Sequence, residues 1–427
     1  MRSTVQCLLF LCIVLVGGGI SASAAEPPNI VVLLGDDQGW RDFGFMGNTT
    51  IRTPHLDRLA SQGTVFTQAC VPHSLCRPSL ATILTGLYPH QHKISGNDPP
   101  KGTDRAEMLR HVRRLPLVPR LLGEQGYVSF QSGKWWEGAP ALAGFTKAMS
   151  HGDPARGGRH GDVGLIVGRQ GLKPVTDFLD EVAKPAPGHS KPAPFFLWYA
   201  PMLPHQPHNP PARLLAKYQA PGKSEHIAKY EAMCEWFDET IGELLGELDS
   251  RKLTDNTLVI FLTDNGWIQD PQAAKFAPRS KRSPYDGGLR TPMILRWPGK
   301  VPVGRNDSLV SSVDVAPTFY AAAGVKTPAE CTGEDLVAVA KTGRSHSNVQ
   351  FGETYAHDVA DIDRPAASLE YRWCRTPEWK LILPQNPDVP IELFEIGKDP
   401  GEEHNVADKH PETVARLKGQ INAWWSP

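Results

Sequence analysis

Residues 29–37 read NIVVLLGDD, and residues 257–265 read TLVIFLTDN. Each is a short apolar run that ends in acidic or amide side chains. A run that is apolar at nearly every position, rather than at every second one, marks a strand covered on both faces. Pro194 to Ala200 (PFFLWYA) and Pro292 to Trp297 repeat the pattern. Between these strands, Thr53 to Ala60 carries proline in a first helical turn with apolar residues at helical spacing, and Tyr230 to Leu248 is amphipathic. Strands alternating with helices predict an α/β protein whose large, mostly parallel sheet is sandwiched by helices. Beyond about residue 330 the chain turns charged and turn-rich. Short strand candidates there, Trp379 to Ile382 and Glu392 to Glu395, predict a smaller C-terminal α+β subdomain. The expected division is a leader over 1–25, a principal domain over 26–330 and the subdomain over 331–427.

The chain has 427 residues, too many for one small core. Hydrophobic residues make up 40% and charged residues 21%, both ordinary for a globular chain. Lys+Arg total 45 against 46 Asp+Glu, a net charge of -1. That balance argues against nucleic acid or an acidic membrane surface as a partner, so bases for an anionic ligand must be gathered locally. Met1-Arg2, the apolar run Cys7 to Ile20 and the small residues Ser21 to Ala25 have the layout of a secretory signal peptide. The apolar run is short for a bilayer span, so export to the periplasm or the outside is expected, without a stable membrane anchor. Of seven cysteines, Cys7 and Cys12 belong to that leader. Cys70, Cys76, Cys234, Cys331 and Cys374 are scattered and odd in number, which predicts no disulfide framework.

Asp36-Asp37 and Asp264-Asn265 each follow the carboxyl end of a predicted strand, where ligands bind in open α/β sheets. Carboxylates crowded together repel unless a cation lies between them. An all-oxygen donor set favours a hard ion, Ca²⁺ or Mg²⁺, over zinc. Cys76 precedes Pro78, which suits the first turn of a helix running through Leu84. A helix N-terminus there would stabilise an anion, either an activated nucleophile or a bound sulfate.

Cys76-Arg77-Pro78-Ser79 followed by LATILTGLYPHQH resembles the signature of the type I sulfatases, of the alkaline phosphatase superfamily. NIVVLLGDDQGWRDFG, TPHLDRLASQGTVFTQA, APMLPHQPH, FLTDNG and KRSPYDGGLRTPMILRWPG resemble further segments of that family, in its order. The resemblance runs from about residue 28 to about 410 and implies an alkaline-phosphatase-like fold and hydrolysis of a sulfate ester. It implies that a maturation enzyme oxidises Cys76 to formylglycine, whose hydrate attacks sulfur. One Ca²⁺ would be held by Asp36, Asp37, Asp264 and Asn265, with residue 76 also touching it. Lys134 and Lys281 would bind the sulfate, and His205 would lie near the leaving-group oxygen. The implied substrates are sulfated small molecules or sulfated glycans. Trp40, Trp135, Trp136 and Trp267, close to these motifs, are candidates for stacking sugar rings.

Two positions depart from the family pattern. The signature's arginine is Leu80, and the histidine of Gly-Lys-Trp-His is Trp136. His151, Arg156, Arg159 and His160, in a basic glycine-rich segment, are the candidate substitutes. The competing readings are a catalytically impaired binder of sulfated glycans and a phosphoester hydrolase of the same superfamily.

Overall fold

The computed structural model describes residues 26–157 and 162–427. The expected leader, and Arg159 and His160, lie outside the described residues. The strands in chain order are β1 (Asn29–Gly35), β2 (Thr64–Phe66), β3 (Val128–Gly133), β4 (Lys147–Ala148), β5 (Phe195–Ala200) and β6 (Thr257–Thr263). They continue with β7 (Met293–Arg296), β8 (Gly304–Asn306), β9 (Gln350–Tyr355), β10 (Leu369–Arg375), β11 (Trp379–Pro384) and β12 (Glu392–Glu395). Eight of them form one sheet in the order β4-β3-β5-β1-β6-β7-β2-β8.

The central strand β1 pairs in parallel with both β5 and β6, and β3 pairs in parallel with β5. Their unbroken apolar runs follow from burial on two faces. Ile30, Val32 and Leu34 of β1 enter one core with Leu258, Ile260 and Leu262 of β6. Val31 and Leu33 enter the opposite core with Val259 and Phe261. The first face is covered by the helices Cys76–Thr85, Val118–Gly123 and Val315–Ala323, the second by Pro54–Ala60, Lys173–Val182 and Glu225–Ser250. The strand expected near Pro292 to Trp297 is present but runs against its neighbours β6 and β2. A parallel pairing with β6 needs a crossover, usually a full helix. The connection here carries only the four-residue helix Asp286–Leu289.

The remaining four strands form an antiparallel sheet in the order β12-β11-β10-β9. Leu417 and Ile421 of the helix Pro411–Trp424 cover one of its faces. Trp373, Ile382 and Phe394 on the other face pack against Cys70, Val71 and Leu289. The small sheet therefore presses on the segment that leads into Cys76. A Cβ at Gly352 would lie 2.3 Å from the carbonyl oxygen of Pro72, so only glycine allows this approach. Cys70, Cys76, Cys234, Cys331 and Cys374 are all free, as their spacing predicts.

Phe261 is fully buried in the central strand β6. Phe261→Ala is expected to lower the unfolding free energy by about 3–5 kcal/mol, through lost burial and the cavity left behind. Urea denaturation reads this directly, and a loss below about 1 kcal/mol would mean that the face is loosely packed.

Candidate active site

Parallel pairing puts the carboxyl ends of β3, β5, β1 and β6 at one edge of the sheet. Lys134 follows β3, the segment with His205 follows β5, Asp36-Asp37 follows β1 and Asp264-Asn265 follows β6. Gly133 has φ +84, and a Cβ there would lie 1.9 Å from the carbonyl of Ala200. Only glycine lets β3 end this close to β5 and hand Lys134 on to the neighbouring carboxylates. Asp37 itself has φ 62, an uncommon conformation for a residue with a side chain and one that concentrates at functional sites.

Asp36, Asp37 and Asp264 each offer a carboxylate oxygen within 4.8 Å of the others, and all three are buried. Lys134 Nζ donates to Asp36 Oδ1 at 2.6 Å and to Asp264 Oδ2 at 3.1 Å. Lys281 Nζ donates to Asp37 at 2.6 and 2.8 Å and to Cys76 Sγ at 3.0 Å. Asn265 Nδ2 donates to Asp37 Oδ1 at 2.7 Å. His205 Nε2 lies 3.4 Å from Asp37 Oδ2. His205 Nδ1 lies 2.6 Å from the carbonyl of Gln206, which only accepts. The neutral ring therefore carries its proton on Nδ1 and turns Nε2, as an acceptor, toward the site. Asp36, Asp37, Asp264, Asn265, Cys76, Lys134, His205 and Lys281 are thus brought into one cluster.

The electrostatics follow from burial set against the two lysines. Burial raises the Asp37 carboxyl, but Lys281, His205 and Lys134 together outweigh it and hold the group well below the usual range. Burial dominates at Asp264 and, despite Lys134, pushes it up to about 7. His205 is lowered by burial, which favours the neutral imidazole. Burial also pushes the Cys76 thiol up to about 11, against the pull of Lys134 and Lys281. The helix Cys76–Thr85 does begin at Cys76. Its dipole nevertheless does not make the unmodified thiol an activated nucleophile, contrary to the expectation from its position, because desolvation is the larger effect.

Asp36 Oδ2 and Asn265 Oδ1 are buried acceptors without a hydrogen-bond partner in the structure. Oxygen acceptors left over beside three carboxylates fit a hard divalent cation, which would take them as ligands.

Leu80 and Trp136, the two departures from the family pattern, line one small apolar hollow with Leu84, Ile94, Leu115 and Trp135. They match each other: an arginine at position 80 would put a charge against this wall. Of the candidate substitutes, His151 contacts Asp162 and Asp153, and Arg156 is exposed. Neither contacts the carboxylate cluster. Trp135, Trp136 and Trp267 are 3%, 7% and 4% exposed, so they are packing residues rather than sugar platforms. Trp40 alone of the four is partly exposed.

Two supporting residues escaped the sequence reading. Glu137 accepts from Arg77 Nε and Nη2 at 2.6 and 2.8 Å, a buried ion pair that holds the start of the Cys76 helix. Arg169 Nη2 donates to the carbonyls of Met202 and His205, both at 2.9 Å, and so braces the loop that carries His205. Glu137 follows the Lys134 motif directly, a usable hint. Arg169 lies in a glycine-rich stretch with no local signal.

The family described as Sulfatase matches residues 28–325, and the C-terminal region described for N-sulphoglucosamine sulphohydrolase matches residues 277–424. The chain belongs to the sulfatase family, whose members are sulfuric ester hydrolases. It is 30% identical over 457 residues to N-acetylgalactosamine-6-sulfatase of Canis lupus familiaris, covering 92% of this chain and 84% of that one. It is 26% identical over 490 residues to N-acetylgalactosamine-6-O-sulfatase of Bacteroides thetaiotaomicron, covering 92% of each. The solved structure of Ps i-CgsB in complex with k-i-k-neocarrahexaose superposes with a TM-score of 0.75 at 25% identity, covering 93% of both chains.

Leu80 is 6% exposed. Leu80→Arg is expected to cost about 3 kcal/mol by burying a charge in a mostly apolar wall whose one carboxylate, Glu137, is already paired with Arg77. A urea midpoint equal to that of the parent would mean that the hollow opens to solvent.

Proposed function

We propose that the protein hydrolyses a sulfate ester on a carbohydrate, with a nucleophile derived from Cys76. The observation that carries this reading is the single buried cluster of Asp36, Asp37, Asp264, Asn265, Lys134, Lys281, His205 and Cys76. Asp36, Asp37, Asp264 and Asn265 would hold one Ca²⁺, with residue 76 beside it. The ion would supply Lewis-acid polarisation of the sulfate oxygens. A formylglycine at position 76 would supply the attacking hydroxyl, which the buried thiol cannot replace. Lys134 and Lys281 offset the negative charge that spreads over the sulfuryl oxygens as the ester bond breaks. Being buried, they act without a competing water shell. His205 Nε2 faces the same cluster and, once protonated, would give the leaving-group oxygen a proton or a hydrogen bond.

The names of the relatives support a sulfated amino sugar within a glycan as the substrate class. The leader at 1–25 supports export to the periplasm or the outside. No described helix is long and apolar enough to cross a membrane. We assign residues 26–330 to the catalytic domain and residues 331–427 to the C-terminal subdomain. Leu80 and Trp136 favour one second reading, a sulfatase-like binder of sulfated glycans that does not turn over.

Peptide mass spectrometry across Cys76, on protein from its native host, separates the two. A mass loss matching conversion of thiol to aldehyde is expected, whereas an unmodified thiol throughout would sink the catalytic reading. In matured enzyme, Lys134→Ala or Lys281→Ala is expected to lower kcat by about 10²–10³, the scale of a lost transition-state donor. Chelation should abolish turnover, with Ca²⁺ restoring it better than Zn²⁺. Full activity after exhaustive chelation would count against the metal assignment.

A further inference from the structure

The carboxyl edge of the large sheet carries a second cluster of cations that the proposed reaction does not use. β2 and β8 run in the same direction as β1 and β6, and β7 runs opposite. Thr67 after β2, Asp307 after β8 and Arg290 before β7 therefore lie on the edge that bears the carboxylates. They line a cavity of about 510 Å³ together with Trp40, Arg305 and Arg375.

Its positive charge is only partly compensated. Arg290 is 6% exposed and makes no ion pair among the described residues. Its Nε and Nη2 donate to the carbonyl of Thr67 at 3.1 and 2.8 Å, and its guanidinium stacks 3.8 Å from the centre of the Trp40 ring. Arg41 lies over the same ring at 4.7 Å. Arg375 is 2% exposed; its Nη2 donates to Gln68 at 2.6 Å, while its Nε has no partner. The carboxylate beside Arg375 is Asp286, whose Oδ2 lies 3.8 Å from Nη2 while its Oδ1 accepts from Lys380 at 2.7 Å, so it is shared between two cations. Asp307, exposed on the rim, accepts from the Thr67 hydroxyl. Burial, then the charge of Arg375, lowers the proton affinity of Arg290 against the opposing pull of Asp286. Three guanidinia line one cavity against a rim carboxylate, Asp307, and Asp286, which Lys380 shares, and this excess of positive charge suits an anion.

We propose that this cavity is a distal subsite that binds a sulfate or carboxylate group on an extended acidic saccharide whose scissile sulfate lies at Cys76. The proposal rests on the sulfatase reading above and adds the length and charge of the substrate. Strands are spaced about 5 Å apart, so the cavity over β2 and β8 lies about 10–20 Å along the edge from the carboxylates over β1 and β6. A single sulfated sugar is too short to span that distance, whereas an oligosaccharide is long enough. Trp40 stacks on the Arg290 guanidinium, and both side chains line the cavity.

The test uses Arg290→Gln and, because Arg305 is exposed and dispensable for packing, Arg305→Ala. A chondroitin sulfate hexasaccharide is compared with 4-nitrophenyl sulfate as substrate, and with inorganic sulfate in calorimetric titration. Each variant is expected to raise the hexasaccharide KM and Kd about tenfold, the scale of one lost charge-assisted contact, and to lower its kcat/KM relative to 4-nitrophenyl sulfate by the same factor. Equal losses on both substrates, or no loss on the hexasaccharide, would overturn the proposal. So would inorganic sulfate binding as tightly as the hexasaccharide with the same dependence on Arg290, since the cavity would then hold a free anion. Calorimetry reads the cavity even in protein that does not turn over, so failure of the sulfatase reading is seen separately in the 4-nitrophenyl sulfate assay.

Discussion

Three carboxylates held within 4.8 Å of one another, in a dry place, are the constraint that organises this molecule. Such a cluster is unstable by itself, because like charges repel strongly where the dielectric is low. Lys134 and Lys281 answer it from opposite sides, one bridging Asp36 and Asp264, the other clasping Asp37. The same two ammonium groups are what an incoming sulfate needs. The arrangement that makes the carboxylates tolerable is therefore also the arrangement that would bind the substrate.

Holding these groups in register is the task of the large sheet. Parallel strands end at one edge, so residues nearly 230 positions apart in the chain, such as Asp37 and Asp264, become neighbours. The small antiparallel sheet supports the site from behind through Cys70, Val71 and Leu289. The Arg77–Glu137 pair anchors the start of the helix that begins at Cys76. Leu80 and Trp136 join the apolar wall beside that helix, so the two departures from the family pattern form one local solution rather than two separate losses.

Cationic side chains appear at two places along one edge of the sheet. Over β3, β5, β1 and β6 they are balanced by carboxylates, whereas over β7, β2 and β8 they outnumber them. That asymmetry fits the proposed roles, a cation and an anion together at the first place and an anion alone at the second.

Much of this was available from the sequence. Unbroken apolar runs such as NIVVLLG reveal strands buried on both faces, and carboxylates just after two such runs point to the acidic cluster, because both signals are local in the chain. The direction of β7 was not available, since strand direction depends on what connects the strands and what pairs with them. Nor was the burial of Trp135, Trp136 and Trp267, because an aromatic residue beside a motif reads the same whether it faces core or ligand. The high affinity of the Cys76 thiol for its proton also had to come from tertiary structure: helix position is local, but desolvation is set by everything packed around it. The roles of Arg169 and of the Arg290–Arg375 cavity belong to the same class. An arginine states its charge in the sequence, and only the fold decides whether a counter-charge stands beside it.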